Sequence, residues 1–169
     1  MHRRELLVLL AGAAVAALVP SPSASASPDP PPDAVTTIRS ATETFRSIAT
    51  AEQHGYALLT DTKKTACIDM PGMGGMGVHW ANGTLVADKQ IDVTRPEALV
   101  YVLPHDGTLQ LAAAEYVVLK TDWDATHPQP PQMFGHTFDL TAAPNRFGLP
   151  AYYSLHAWVW EHNRSEDVV

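Results

Sequence analysis

The run Ala98-Leu99-Val100-Tyr101-Val102-Leu103, then Pro104-His105-Asp106-Gly107-Thr108, then Leu109-Gln110-Leu111-Ala112-Ala113-Ala114-Glu115-Tyr116-Val117-Val118-Leu119 decides the fold class. Two apolar runs around a Pro/Asp/Gly turn predict an antiparallel hairpin. Alternate residues of a strand face opposite ways. The second run therefore sorts into Leu109, Leu111, Ala113, Glu115, Val117 and Leu119 on one side, and Gln110, Ala112, Ala114, Tyr116 and Val118 on the other. Glu115 falls in the middle of the more aliphatic side, where an ionised carboxylate needs a partner. Lys120, Arg95 and Arg146 are the basic candidates for that role.

Upstream, Val35, Ile38, Ala41, Phe45, Ile48, Ala49 and Glu52 recur at three- and four-residue intervals. That period predicts one helix, with Asp33 as its N-cap and Gly55 as its stop. Tyr56 to Thr60 is a short strand candidate, and Asn82-Gly83 reads as a tight turn with Thr84 to Ala87 returning as a strand. Downstream, residues 121 to 132 form a polar, proline-bearing loop. Phe134, His136, Phe138 and Leu140 then alternate as in a strand. After a second loop, Ala151 to Glu161 predicts a strand with Tyr152, Ser154, His156, Trp158 and Trp160 on one side. No period of 20 to 50 residues repeats. The expected fold is α+β, an N-terminal helix packed on an antiparallel sheet that could curl into a barrel, in one domain over residues 34–169.

The first residues have another purpose. Met1-His2-Arg3-Arg4-Glu5, the apolar run Leu6 to Val19 and Ala24-Ser25-Ala26 predict a secretory signal peptide over 1–26. The Arg3-Arg4 pair resembles a twin-arginine export signal. The apolar run is short for a bilayer span, so no transmembrane segment is expected after cleavage. Residues 27–33 read as a proline-rich spacer. The net charge is −7, and losing the leader makes it about −8. An acidic chain without a basic cluster argues against nucleic acid as a partner. One cysteine, Cys67, cannot form an internal disulfide, so the fold must rest on its core.

Two donor sets invite a metal. In Cys67-Ile68-Asp69-Met70-Pro71-Gly72-Met73-Gly74-Gly75-Met76-Gly77-Val78-His79-Trp80, soft donors Cys67, Met70, Met73 and Met76 recur at every third position. Thiolate and thioether favour copper(I). The glycines and Pro71 exclude a stable helix, so the spacing does not by itself gather the sulfurs. The bland alternative is methionines filling core gaps beneath a tight bend that delivers His79. The harder set is His79, Glu115, His136 and His156, on strand-like segments, which suits zinc, iron or copper(II). Each has a structural alternative: a core histidine bonded to a carbonyl, or a carboxylate paired with a base. His162 lies six residues beyond His156, about 20 Å along a strand, too far to share an ion. His54, His105 and His127 fall at a helix end, a turn and a loop and are assigned to the surface. No G-x-S-x-G, P-loop, H-E-x-x-H or EF-hand pattern occurs.

Taken together, Cys67, Gly75-Met76-Gly77-Val78-His79-Trp80, Pro96-Glu97-Ala98-Leu99-Val100-Tyr101, Glu115-Tyr116, Phe134-Gly135-His136 and Leu155-His156-Ala157-Trp158-Val159-Trp160-Glu161 resemble a family of uncharacterised exported bacterial proteins. The resemblance implies export and a single domain, and implies no chemistry. The paired H-x-H of the cupin barrels is absent. Two readings follow. One is a secreted or cell-envelope protein binding a transition metal (Cu, Zn or Fe) through His/Glu or Cys/Met ligands. The other is a metal-free exported protein whose aromatic strand lines a pocket for a small molecule or an envelope partner.

Overall fold

The computed structural model describes residues 32–70, 74–104 and 107–161. The expected leader 1–26, most of the spacer, Met73, His105 and His162 lie outside them. The chain begins with helix α1 (Pro32–Thr42), a 3-10 turn (Glu43–Arg46) and α2 (Ile48–Gln53). Strands β1 (Ala57–Leu58), β2 (Cys67–Met70) and β3 (Gly74–Ala81) follow, then α3 (Gly83–Asp88). Next come β4 (Ala98–Val102), β5 (Gln110–Leu119) and α4 (Lys120–Asp124). The last strands are β6 (Gln132–Met133), β7 (His136–Thr137), β8 (Asp139–Thr141) and β9 (Tyr152–Trp158). The main sheet is antiparallel and open, in the order β1-β3-β4-β5-β9-β8, with β2 also pairing β3. This is the expected α+β arrangement with the sheet left short of a closed barrel.

The expected single N-terminal helix is two helices. Ser47 has extended dihedrals (φ −91, ψ 114), which end the 3-10 turn, and its hydroxyl oxygen accepts from the Thr50 amide to cap α2. The apolar stripe survives the break, because Ile38, Phe45 and Ala51 all face the sheet. Gly55, at φ +89, ends α2 as expected. Asp33 is not the cap. The helix starts one residue earlier, at Pro32, whose fixed φ and missing N–H suit a first helical position.

Three local expectations change further along. Asn82-Gly83 does not turn the chain back as a strand. The Asn82 side-chain oxygen accepts from Thr84 and Leu85 amides and starts α3. The polar stretch after β5 includes α4 as well as loop. The Phe134-to-Leu140 alternation is not one strand. Phe134 and Gly135 take positive φ (54 and 83), and this turn puts His136 in a separate two-stranded ribbon, β6–β7.

The sheet's two faces differ. Toward the helices point Trp80, Leu99, Tyr101, Leu111, Ala114, Tyr116, Leu155 and Ala157, in two buried clusters built around Ile38 of α1 and Phe45 and Ala51 beyond it. Ile38 is fully buried, worth about 1.5–3 kcal/mol for such a side chain. Between Val100 and Tyr101 the partner shifts from Ala113 to Leu111, so Ala112 is an extra residue in β5. That bulge corrects the expected sorting. It turns Leu111 to the helix side while Glu115 stays on the opposite face.

A candidate metal centre on the sheet face away from the helices

Strand register builds the site. His79 pairs with Val100, Ala98 with both Ala81 and Glu115, and Glu115 with His156. Paired residues share a face, so His79, Glu115 and His156 rise from β3, β5 and β9 on the side away from the helices. The small Ala98 side chain on intervening β4 leaves room for the longer side chains to converge above it.

The convergence is close. His79 Nε2 lies 3.3 Å from His156 Nε2, and 3.5 Å from Glu115 Oε2. His156 Nε2 lies 3.5 Å from Glu115 Oε1, so each imidazole faces a different carboxylate oxygen. Among the described residues, these three form the group whose ligand atoms all fall within 4.8 Å of one another. His79 and Glu115 are buried, and His156 keeps 18% of its side chain exposed. Trp158 lies parallel to the His156 ring at 6.1 Å.

Burial sets the protonation of all three. Desolvation pulls His79 below the usual imidazole range, with His156 adding to the effect and Glu115 opposing it. The same cause lowers His156 to about 4, against a partial counter-effect of Asp139. Desolvation raises Glu115, opposed by His79 and by the hydrogen bond donated from Ser154. Desolvation thus works against charge on all three groups, while the attraction between His79 and Glu115 works for it. Imidazoles that burial disfavours as cations are good ligands, because metal then competes less with their protons. His79 Nδ1 is buried with no hydrogen-bond partner. It is the ring nitrogen other than the one facing Glu115 and His156, and an orphan of that kind costs about 1–3 kcal/mol.

The other predicted ligands stand apart. His136, half-buried on β7, is held in the β6–β7 ribbon and does not join the three. In the soft run, β2 and β3 form a hairpin with Cys67 opposite Val78. Cys67 is exposed while Met76 is buried, Met73 lies outside the described residues, and Met70 is known only as backbone. None of the bases proposed for Glu115 pairs with it: Arg146 bonds Asp61, Lys120 bonds Asp124, and Arg95 bonds Asp88 and Asp92. The aromatic strand divides between its two sides. Tyr152 and Tyr153 are buried, and Trp160 lines a cleft of about 280 Å³ with Arg46, Gln110, Leu111 and Glu161.

Two buried polar residues were missed by sequence reasoning. Ser154 lies opposite Val117 in register and holds Glu115 by its hydroxyl. Its place on the His156 side of the strand was the available signal. Glu97 is 1% exposed, accepts from the Val117 amide at 2.8 Å, and burial raises it to about 7. Nothing in the composition around Glu97 distinguishes it from a surface carboxylate.

No family model matches the chain, and comparison with curated proteins and with solved structures returns no match.

Proposed function

We propose that this is an exported protein that holds one transition-metal ion through His79, Glu115 and His156. The observation that carries the reading is the spacing of the three donors. A four-coordinate ion with bonds of about 2.0–2.1 Å has ligands about 3.3–3.4 Å apart, whereas neighbouring ligands of an octahedral ion with the same bonds lie about 2.9 Å apart. The 3.3 Å between His79 Nε2 and His156 Nε2 matches the tetrahedral case. The two 3.5 Å contacts run to different oxygens of Glu115, and with one atom taken from each residue the three donors lie within 4.8 Å of one another. Two imidazoles and one carboxylate leave the fourth position to water or a substrate atom, the composition of catalytic zinc sites. Oxygen-only preferences make calcium and magnesium poor fits. The leader-like residues 1–26 support delivery outside the cytoplasm.

Elemental analysis of purified full-length protein, together with zinc titration of the metal-free form, tests this. One equivalent of zinc is expected, lost in His79→Ala and Glu115→Gln and kept in Cys67→Ser and His136→Ala. Less than about a tenth of an equivalent of any transition metal, with no rise in melting temperature on adding zinc, overturns it. The metal-free alternative has the Trp160–Arg46 cleft on its side, and the same absence of metal would favour it.

A further inference from the structure

β1 and β8 are the two edges of the path through the main sheet, with β3, β4, β5 and β9 between them. Five steps of about 4.8 Å put those edges about 24 Å apart across a flat sheet. Yet the loop that follows β1 (59–66) and the loop that follows β8 (142–150) are bonded to each other. The Thr62 amide and hydroxyl both donate to the Arg146 carbonyl, at 3.0 and 3.1 Å. The Arg146 guanidinium donates to Asp61 Oδ2 at 3.0 Å. Helices pack against one face, which leaves the other, with His79, Glu115 and His156, as the face the bridged loops can cover. Burial on that face agrees. Ala98, Val100 and Ala113 are no more than 2% exposed although they belong to neither helix-packed cluster.

We infer that these two loops form a latched lid over the His79–Glu115–His156 site, and that opening the Asp61/Thr62–Arg146 latch admits the ion. Each loop is braced internally. Asp61 Oδ1 accepts from the Lys63 and Thr65 amides, both at 2.8 Å. Asn145 accepts from the Phe147 and Leu149 amides and donates to the carbonyls of Ala142 and Leu149. Each loop therefore moves as a unit, and the junction between them is the weak part. The Arg146 side chain is 37% exposed, so its ion pair with Asp61 is readily broken. The residual exposure of His156, against the burial of His79, puts the entry on the His156 side.

The lid's purpose rests on the metal reading, but its existence can be measured without metal. Metal-free full-length protein is treated with diethyl pyrocarbonate, and modification of His79 is followed by peptide mass spectrometry, with exposed His54 as the reference. Arg146→Met should raise the His79 rate about two- to fivefold, the size expected for breaking a half-exposed ion pair, and leave His54 unchanged. Thr62→Val, which removes one bond of the latch, should act in the same direction, and Arg146→Lys should recover most of the wild-type rate. Zinc release to a chelator should accelerate by a similar factor in Arg146→Met. Equal His79 rates in wild type, Arg146→Met and Thr62→Val overturn the lid even if zinc binds. Faster His79 modification in a protein that takes up no zinc supports the lid and removes the metal reading alone.

Discussion

The Nε2 atoms of His79 and His156, separated by 77 positions in the chain, face each other at 3.3 Å with their rings nearly perpendicular. Two nitrogens at that distance cannot both carry a proton, so at least one lone pair points into the gap. Glu115 presents one oxygen to each ring across the same space. Three strands thus aim three donors at one point, and the consequences of that arrangement can be measured.

Ser154 should matter to the metal without touching it. Its hydroxyl donates to Glu115 and opposes the burial that would keep that carboxyl protonated. Ser154→Ala removes an outer partner of a ligand, and such losses weaken metal affinity about 10–100-fold. Competition against a chromophoric chelator would measure this. An unchanged affinity would mean that Glu115 is oriented by its neighbours on the strands alone.

In the metal-free protein the His156 imidazole should titrate near pH 4 rather than at the usual value of 6.5. Because its folded pKa lies below the unfolded one, its contribution to stability is present above pH 6.5 and is lost as pH falls toward 4. Proton NMR of the ring hydrogens gives the titration directly, with exposed His54 and His127 as reference resonances. A midpoint near 6.5 for His156 would show that the ring is hydrated.

Glu97 works with the opposite sign. Its folded pKa, about 7, lies above the ordinary carboxyl value of 4.5 because of burial. The native state therefore holds a proton that the unfolded chain has released, and stability declines as pH rises from about 4.5 to about 7. Glu97→Gln removes this slope. Wild type and variant should have similar denaturation midpoints near pH 4.5, with the variant gaining by up to about 3 kcal/mol at pH 8. Parallel curves over that range would show that Glu97 is ionised in the fold.

Among the described glycines of the soft run, Gly77 is the one the fold requires. It has φ +77, and a Cβ there would meet the Tyr101 carbonyl oxygen at 2.7 Å and Val100 Cγ1 at 2.9 Å. Gly77→Ala combines a left-handed backbone with forced separation of β3 from β4, at a combined cost of about 2–5 kcal/mol. Urea denaturation would measure it. Gly75→Ala is the control, because nothing lies within 4 Å of the position its Cβ would take. Similar stabilities for the two variants would count against the close approach.

Much of the architecture was readable locally. The two apolar runs around Pro104–Thr108 contain the β4–β5 pairing, and a three- and four-residue stripe marks the helical layer. His79, Glu115 and His156 were marked because polar groups with lone pairs interrupt strand-like apolar runs, and burial of such groups is costly without partners. The stretches that misled were those where one backbone detail overrides a pattern. Ser47 splits a helix that periodicity joins, Asn82 caps a helix where a turn was expected, and the positive φ at Phe134 and Gly135 carries His136 away from an apparent strand.

By itself the sequence determined the α+β class, the short list of donors and the leader-like start, because composition and period act between near neighbours. Only the tertiary structure decided which donors meet. Strand register is a long-range property with a two-residue period, and one inserted residue moves side chains to the other face. Ala112 makes that move in β5, returning Leu111 to the core and leaving Glu115 beside His156. The order β3-β4-β5-β9 then closes the 77-residue gap between two imidazoles, over an alanine small enough to let them meet.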